Sequence, residues 1–193
     1  MQLGREVAST QAVPVYVTPR MAEFLLNNGP WSQLVDLSQI ALNLIEPGGA
    51  AFSPMPGITV EAIPVPHRDE FSDNVCFRIH GPEKSVLFCP DVDAWDRHPG
   101  LLNSLIEGVD VAYLDGTFFA DGELPGRDMS RIPHPFIAES MKRFASLDPT
   151  ERSKVRFLHL NHTNPALDPE SEATKAIEKA GHHVAEQGER VEL

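Results

Sequence analysis

Three short apolar runs in close succession, at 58–65, 74–79 and 85–89, constrain this chain more than any other feature. Each has the length of a strand and is rich in Val, Ile, Phe or Leu. The second and third are separated by little more than His80-Gly81-Pro82-Glu83, a turn signal far too short for a crossover helix, so the three read as an antiparallel meander. Upstream, 13–17 reads as a strand and Thr18-Pro19 opens a helix over 19–27, with Thr18 as N-cap and Pro19 at the first helical position. A mixed segment through Trp31 and Leu44 follows, then a turn at Glu46-Pro47-Gly48-Gly49. Residues 1–8 are also helix-like.

Downstream of Gly100 the pattern changes to alternation. A helical period at 100–107 runs into a strand at 109–114, a helix follows at 135–144, a strand at 155–160, and a helix at 169–180 opened by Asp168 as N-cap. Short terminal strands are expected at 182–185 and 190–193. A meander followed by β-α alternation, without an internal repeat, predicts an α/β or α+β sandwich: mixed sheet covered by helices. With 193 residues, 41% of them hydrophobic, the chain supports one core and one domain, 1–193.

The net charge of −12, from 28 acidic and 16 basic side chains, opposes nonspecific attraction to nucleic acid or an anionic membrane. A small-molecule or protein partner is expected, with a homodimer left open. No run approaches the roughly 18 apolar residues of a membrane span, and no basic segment with an apolar run follows Met1. A cytoplasmic protein is the expectation. Cys76 and Cys89 lie in apolar runs without CxxC spacing, and they read as core thiols of a reducing compartment.

Polar residues at the ends of apolar strands can converge on one site while the strands hold them. His67 follows the first meander strand, Asp91 follows Val86-Leu87-Phe88-Cys89-Pro90, and His159 lies in Val155-Arg156-Phe157-Leu158-His159-Leu160. Each alone is more often a structural residue. Together, two imidazoles and a carboxylate form a set that binds Zn²⁺, Fe²⁺ or Mn²⁺ with positions left open for water or substrate.

Val65-Pro66-His67-Arg68-Asp69-Glu70, the hairpin after it, and Pro90-Asp91 resemble the middle of metallo-β-lactamase-fold proteins. Further on, Leu114-Asp115-Gly116-Thr117-Phe118, Gly126-Arg127-Asp128-Met129, Pro133-His134-Pro135-Phe136 and Phe157-Leu158-His159-Leu160-Asn161-His162-Thr163-Asn164-Pro165 resemble the coenzyme PQQ synthesis protein B family. The likeness spans about 13–193, and the His-Leu-Asn-His-Thr-Asn-Pro run is its most specific element. It implies a metallo-β-lactamase-like αββα fold, a divalent metal with zinc first and iron or manganese served by the same donors, and a small-molecule or peptide-derived substrate. His67, Asp91 and His159 would be metal ligands, with Asp91 as the bridging carboxylate. The superfamily's His-x-His-x-Asp-His loop occurs nowhere here. Because the family places it before the residue that is Met1 here, the expectation is an N-terminally truncated fold, its C-terminal two thirds.

The remaining assignments stay open between two roles. His134 is a general acid or substrate ligand, or else a helix N-terminal residue between two prolines. His162 is an outer-shell donor or an exposed loop residue, and Asp115 either orients a ligating histidine or closes a turn. Asp69, Glu70 and Asp73 form a solvated acidic loop rather than a site. His182 and His183 precede a strand, where adjacent side chains face opposite sides, so they do not chelate together. Arg127 contacts an anionic substrate or forms a surface ion pair. Two functions follow: a metal-dependent enzyme, hydrolase-like or acting in PQQ biosynthesis, or a noncatalytic remnant binding a ligand or partner through the former cleft.

Overall fold

The computed structural model describes residues 11–98 and 100–193; the helix expected at 1–8 lies outside them. Strand β1 (Val13–Val17) pairs in parallel with β2 (Ile40–Leu44), and helices α1 (Pro19–Asn27) and α2 (Trp31–Asp36) make the crossover that a parallel pair requires. Thr18 caps α1 by accepting from the Met21 amide, as expected.

The remaining strands form one seven-stranded sheet in chain order. Strands β3 (Phe52–Met55), β4 (Ile58–Pro64), β5 (Val75–His80) and β6 (Ser85–Cys89) run antiparallel. Strands β7 (Val111–Asp115), β8 (Val155–Leu158) and β9 (His183–Val184) continue in parallel from β6. Helices α3 (Leu101–Ile106), α4 (Ile137–Phe144) and α6 (Glu172–Lys179) contribute Leu102, Leu105, Ile137, Phe144 and Ile177 to a core shared with Leu87, Leu114 and Phe157 of the sheet. The short α5 (Pro149–Ser153) precedes β8.

Several boundaries differ from expectation for local reasons. The helix expected from Pro169 starts at Glu172, capped by Ser171; Asp168 instead follows a 3-10 turn (Pro165–Leu167) and accepts from the Glu170 amide. Helix α4 starts later because Phe136 bridges back to Phe118. No strand forms at 190–193.

The cysteines require a correction. They are not thiols but a disulfide. The register Phe77↔Phe88 places Cys76 opposite Cys89, with Cα atoms 4.6 Å apart, the spacing of a close non-hydrogen-bonded pair on antiparallel strands. Sequence spacing alone cannot show such a pairing.

Candidate metal centre

Three neighbouring strands end at the same edge of the sheet. Asp91 follows β6, Asp115 is the last residue of β7, and His159 follows β8. His67 enters from the loop after β4, and His134 from the segment before α4. Backbone bonds fix the loops: the Asp93 amide donates to the Pro66 carbonyl at 2.8 Å, and the Asn74 amide side chain to the Asp91 carbonyl at 2.8 Å. Buried Asn164 donates to the Gly116 carbonyl at 2.8 Å, and the Asn161 amide to the Thr117 carbonyl at 2.9 Å. The asparagines of the His-Leu-Asn-His-Thr-Asn-Pro run therefore fasten the β8 loop to the β7 loop.

His159 is not inside a strand. Its backbone is left-handed, with φ of 63°, a conformation that costs an L-residue about 1 kcal/mol and turns the imidazole out of the strand direction. Strand β8 ends at Leu158 for the same reason.

Each of the three imidazoles has its Nδ1 engaged. His67 Nδ1 lies 3.2 Å from Asp93 Oδ1, His134 Nδ1 2.8 Å from Asp115 Oδ2, and His159 Nδ1 3.0 Å from Thr117 Oγ1. The acceptors assign the proton to Nδ1 in each ring, which leaves Nε2 as the free donor atom, the arrangement that outer-shell partners impose on metal-binding histidines.

Asp115, which is 0% exposed, organises this shell. Its Oδ1 accepts from the Thr117 amide at 2.8 Å and hydroxyl at 2.7 Å, and its Oδ2 from the Val92 amide at 3.1 Å and His134. Both oxygens are saturated by donors, so Asp115 positions other groups. Asp91 is the opposite case. Its Oδ1 is buried without a hydrogen bond, although His67 Nε2 is 2.9 Å away and His134 Nδ1 3.6 Å. Two lone-pair atoms about 2.9 Å apart are close enough to ligate one cation, at the cis spacing of six-coordination rather than the wider tetrahedral spacing for bonds of roughly 2.0–2.2 Å. Donor atoms of Asp91, Asp115, His134 and His159 also lie within 4.8 Å of one another. The residues fit a divalent metal.

Burial is the largest influence on His134 and opposes its charge, but the Asp115 hydrogen bond and the charges of Asp115, Asp91 and Asp93 outweigh it and raise its pKa above the usual histidine value. His162 is exposed and outside the group, and His67, expected as a ligand, is outside it too, meeting it through Asp91. In the acidic loop, Asp73 pairs with Arg20 at 3.5 Å and Glu70 with Arg68 at 2.9 Å. His182 is buried while His183 is exposed. Sequence reasoning missed Asp93 and Thr117; the Asp91-x-Asp93 and Asp115-x-Thr117 spacings were the available signals.

The Beta-lactamase superfamily domain family matches this chain over residues 2–185. The chain belongs to that superfamily. Coenzyme PQQ synthesis protein B of Cupriavidus necator is 24% identical over 203 residues, covering 95% of this chain and 66% of the relative. Zn²⁺-bound PqqB from Methylobacterium extorquens superposes with a TM-score of 0.77 at 22% identity, over 95% of this chain and 66% of that one. CmlA, a diiron β-hydroxylase from Streptomyces venezuelae, does so at 0.53 and 15% identity, over 89% and 38%. The chain thus spans at most about two thirds of these proteins' lengths. The seven-stranded mixed sheet with its helices is the metallo-β-lactamase fold. Among the described residues, no helix is long and apolar enough to cross a membrane.

Proposed function

We propose that this superfamily member is a PqqB-like, divalent-metal-dependent protein of PQQ-biosynthesis type, hydrolase-like toward a small-molecule or peptide-derived substrate. The observation that carries the reading is the donor set: the His67 and His159 rings held through Nδ1, beside a buried Asp91 oxygen that lacks a hydrogen bond.

In this reading His67, Asp91 and His159 hold the metal. When bound, a divalent ion lowers the pKa of a coordinated water to about 7 and offers an electrophilic centre. Asp93 and Thr117 keep the His67 and His159 rings oriented. His134, its Nδ1–H held by Asp115 and its pKa raised, offers a proton from Nε2 to a leaving group. The Phe118 ring edge, with its centroid 6.2 Å from the His134 ring, restricts how that imidazole can turn. Zinc is the first candidate, supported by the Zn²⁺-bound PqqB neighbour, and the same donors serve iron or manganese.

The test is elemental analysis of protein purified without chelator, beside His159→Ala and His134→Ala. Near-stoichiometric metal that His159→Ala loses and His134→Ala keeps supports both the ligand set and the separate role of His134. A folded protein without metal would instead favour the noncatalytic binding reading.

A further inference from the structure

The Cys76–Cys89 bridge lies in the middle of the sheet, one step from the candidate metal centre. Both residues are 0% exposed. Strand β5 also pairs with β4, where Ile63 stands opposite Cys76, and β6 pairs with β7, where Leu114 stands opposite Cys89. The strands that lead to His67 and Asp115 therefore flank the bridge. At the far end, the β5–β6 hairpin is clamped by its turn, with His80 opposite Ser85 and the Gly81 amide bonded to the Lys84 carbonyl. At the near end the chain leaves the ladder, and its mouth is spanned by Asn74 donating to the Asp91 carbonyl and Asp93 donating to the Pro66 carbonyl.

Two separate thiols need van der Waals spacing that bonded sulfurs do not. Leu87, Leu114, Val65 and Val92 belong to the same packed cluster as the sulfurs, so the core has no slack to supply that spacing. The strands must give way, and only the mouth is free to do so. Opening there moves the residues that carry Asp91 and His67.

We propose that Cys76–Cys89 is a modification site for a dithiol reductant, and that its reduction loosens the mouth that positions Asp91 and His67 and weakens divalent-metal binding. The inference rests on the metal-centre reading. In the first step, during a transient opening of the mouth that exposes the bridge, a reductant thiolate attacks one cysteine sulfur, the protein S–S bond breaks, and the other cysteine leaves as a thiolate that takes up a proton. In the second, the reductant's other thiolate attacks the reductant sulfur of the mixed disulfide, that S–S bond breaks, and the first cysteine leaves as a thiolate that takes up a proton. Two electrons and two protons pass to the protein, and the reductant leaves as a cyclic disulfide.

The test begins with full-length protein purified without reductant, denatured and alkylated for mass measurement. The expected count is no free thiol, rising to two after reduction; two free thiols at the outset overturn the proposal. Zinc affinity is then measured by chelator competition for oxidised protein, for protein reduced and desalted under anaerobic conditions, and for Cys76→Ser/Cys89→Ser. Reduction should weaken zinc binding at least tenfold, with recovery on reoxidation, and the double variant should match the reduced protein. Amide exchange should rise at 65–77 and 89–94 while β8 and α6 stay protected. Equal zinc affinity in both redox states overturns the proposal, as does a uniform rise in exchange. If no form binds zinc, the metal-centre reading falls with it; an exchange difference confined to the mouth then still supports the bridge as its clamp, and equal exchange sinks that too.

Discussion

Replacing Asp115 with Asn is the sharpest structural test, because the change is isosteric and the site is buried. The carboxylate accepts four hydrogen bonds, two on each oxygen. An amide can accept on one side only. With its NH₂ toward Thr117 it confronts the Thr117 N–H, and with its NH₂ toward His134 it confronts the Val92 N–H. Either way one buried backbone donor is orphaned, at about 1–3 kcal/mol, and charge-assisted bonds of about 1.5–3 kcal/mol are weakened. The sum, about 3–5 kcal/mol, agrees with the usual cost of removing one partner from a buried charged pair. For a chain of this size that is a fall in Tm on the order of 10 °C. Urea unfolding followed by fluorescence, with chelator present so that metal does not contribute, measures it directly. If Asp115→Asn unfolds within about 0.5 kcal/mol of the parent at an unchanged slope, the carboxylate is not the hub described here.

Gly116→Ala should destabilise by about 1–3 kcal/mol, since a Cβ there would meet Phe157 Cβ at 2.9 Å and the Leu158 carbonyl oxygen at 3.0 Å; thermal unfolding checks it. His159→Gly removes the left-handed strain, so in chelator its stability should stay within about 1 kcal/mol of the parent, while the roughly 2.7 kcal/mol gained by the parent at zinc a hundredfold above Kd should vanish. His182 donates from Nδ1 to the Arg152 carbonyl at 2.9 Å, its Nε2 is buried without a partner, and the Phe144 and Phe157 rings flank it. Burial, the largest cause, together with the Arg152 and His183 charges, lowers its pKa below 6.5 against the Arg152 hydrogen bond. Its stabilising share is full above pH 6.5 and is lost as pH falls through the folded value, so His182→Gln should unfold with a shallower loss between pH 7.5 and 5.5 than the parent.

The meander and the β-α alternation were legible because each strand's apolar run is local information. The ends of elements were not. Asp168-Pro169 looks like a helix start as much as Ser171 does, and only the bond from Thr174 Oγ1 to the Asp168 carbonyl shows which segment turns first. His67, Asp91 and His159 stood out as polar residues at strand ends, and the family resemblance ordered them. Asp93 and Thr117 could not stand out in the same way, because their importance lies in the histidine each one holds across 26 and 42 residues of chain. The disulfide depends on register, which emerges only when the hairpin pairs.

The seven strands of the large sheet lie in strict chain order, and this bears on how the centre matures during synthesis. Each strand can dock on the one made just before it, so no completed pair has to reopen to admit a latecomer. The donors emerge in the same sequence: His67 ahead of β5, Asp91 after β6, Asp115 with β7, His134 before α4, His159 after β8. A chain emerging from the ribosome therefore lacks the last of these donors until β8 is in place, and that donor, His159, is in the left-handed conformation. On the metal-centre reading, capture of an ion would be postponed until the sheet that supports the centre is almost finished.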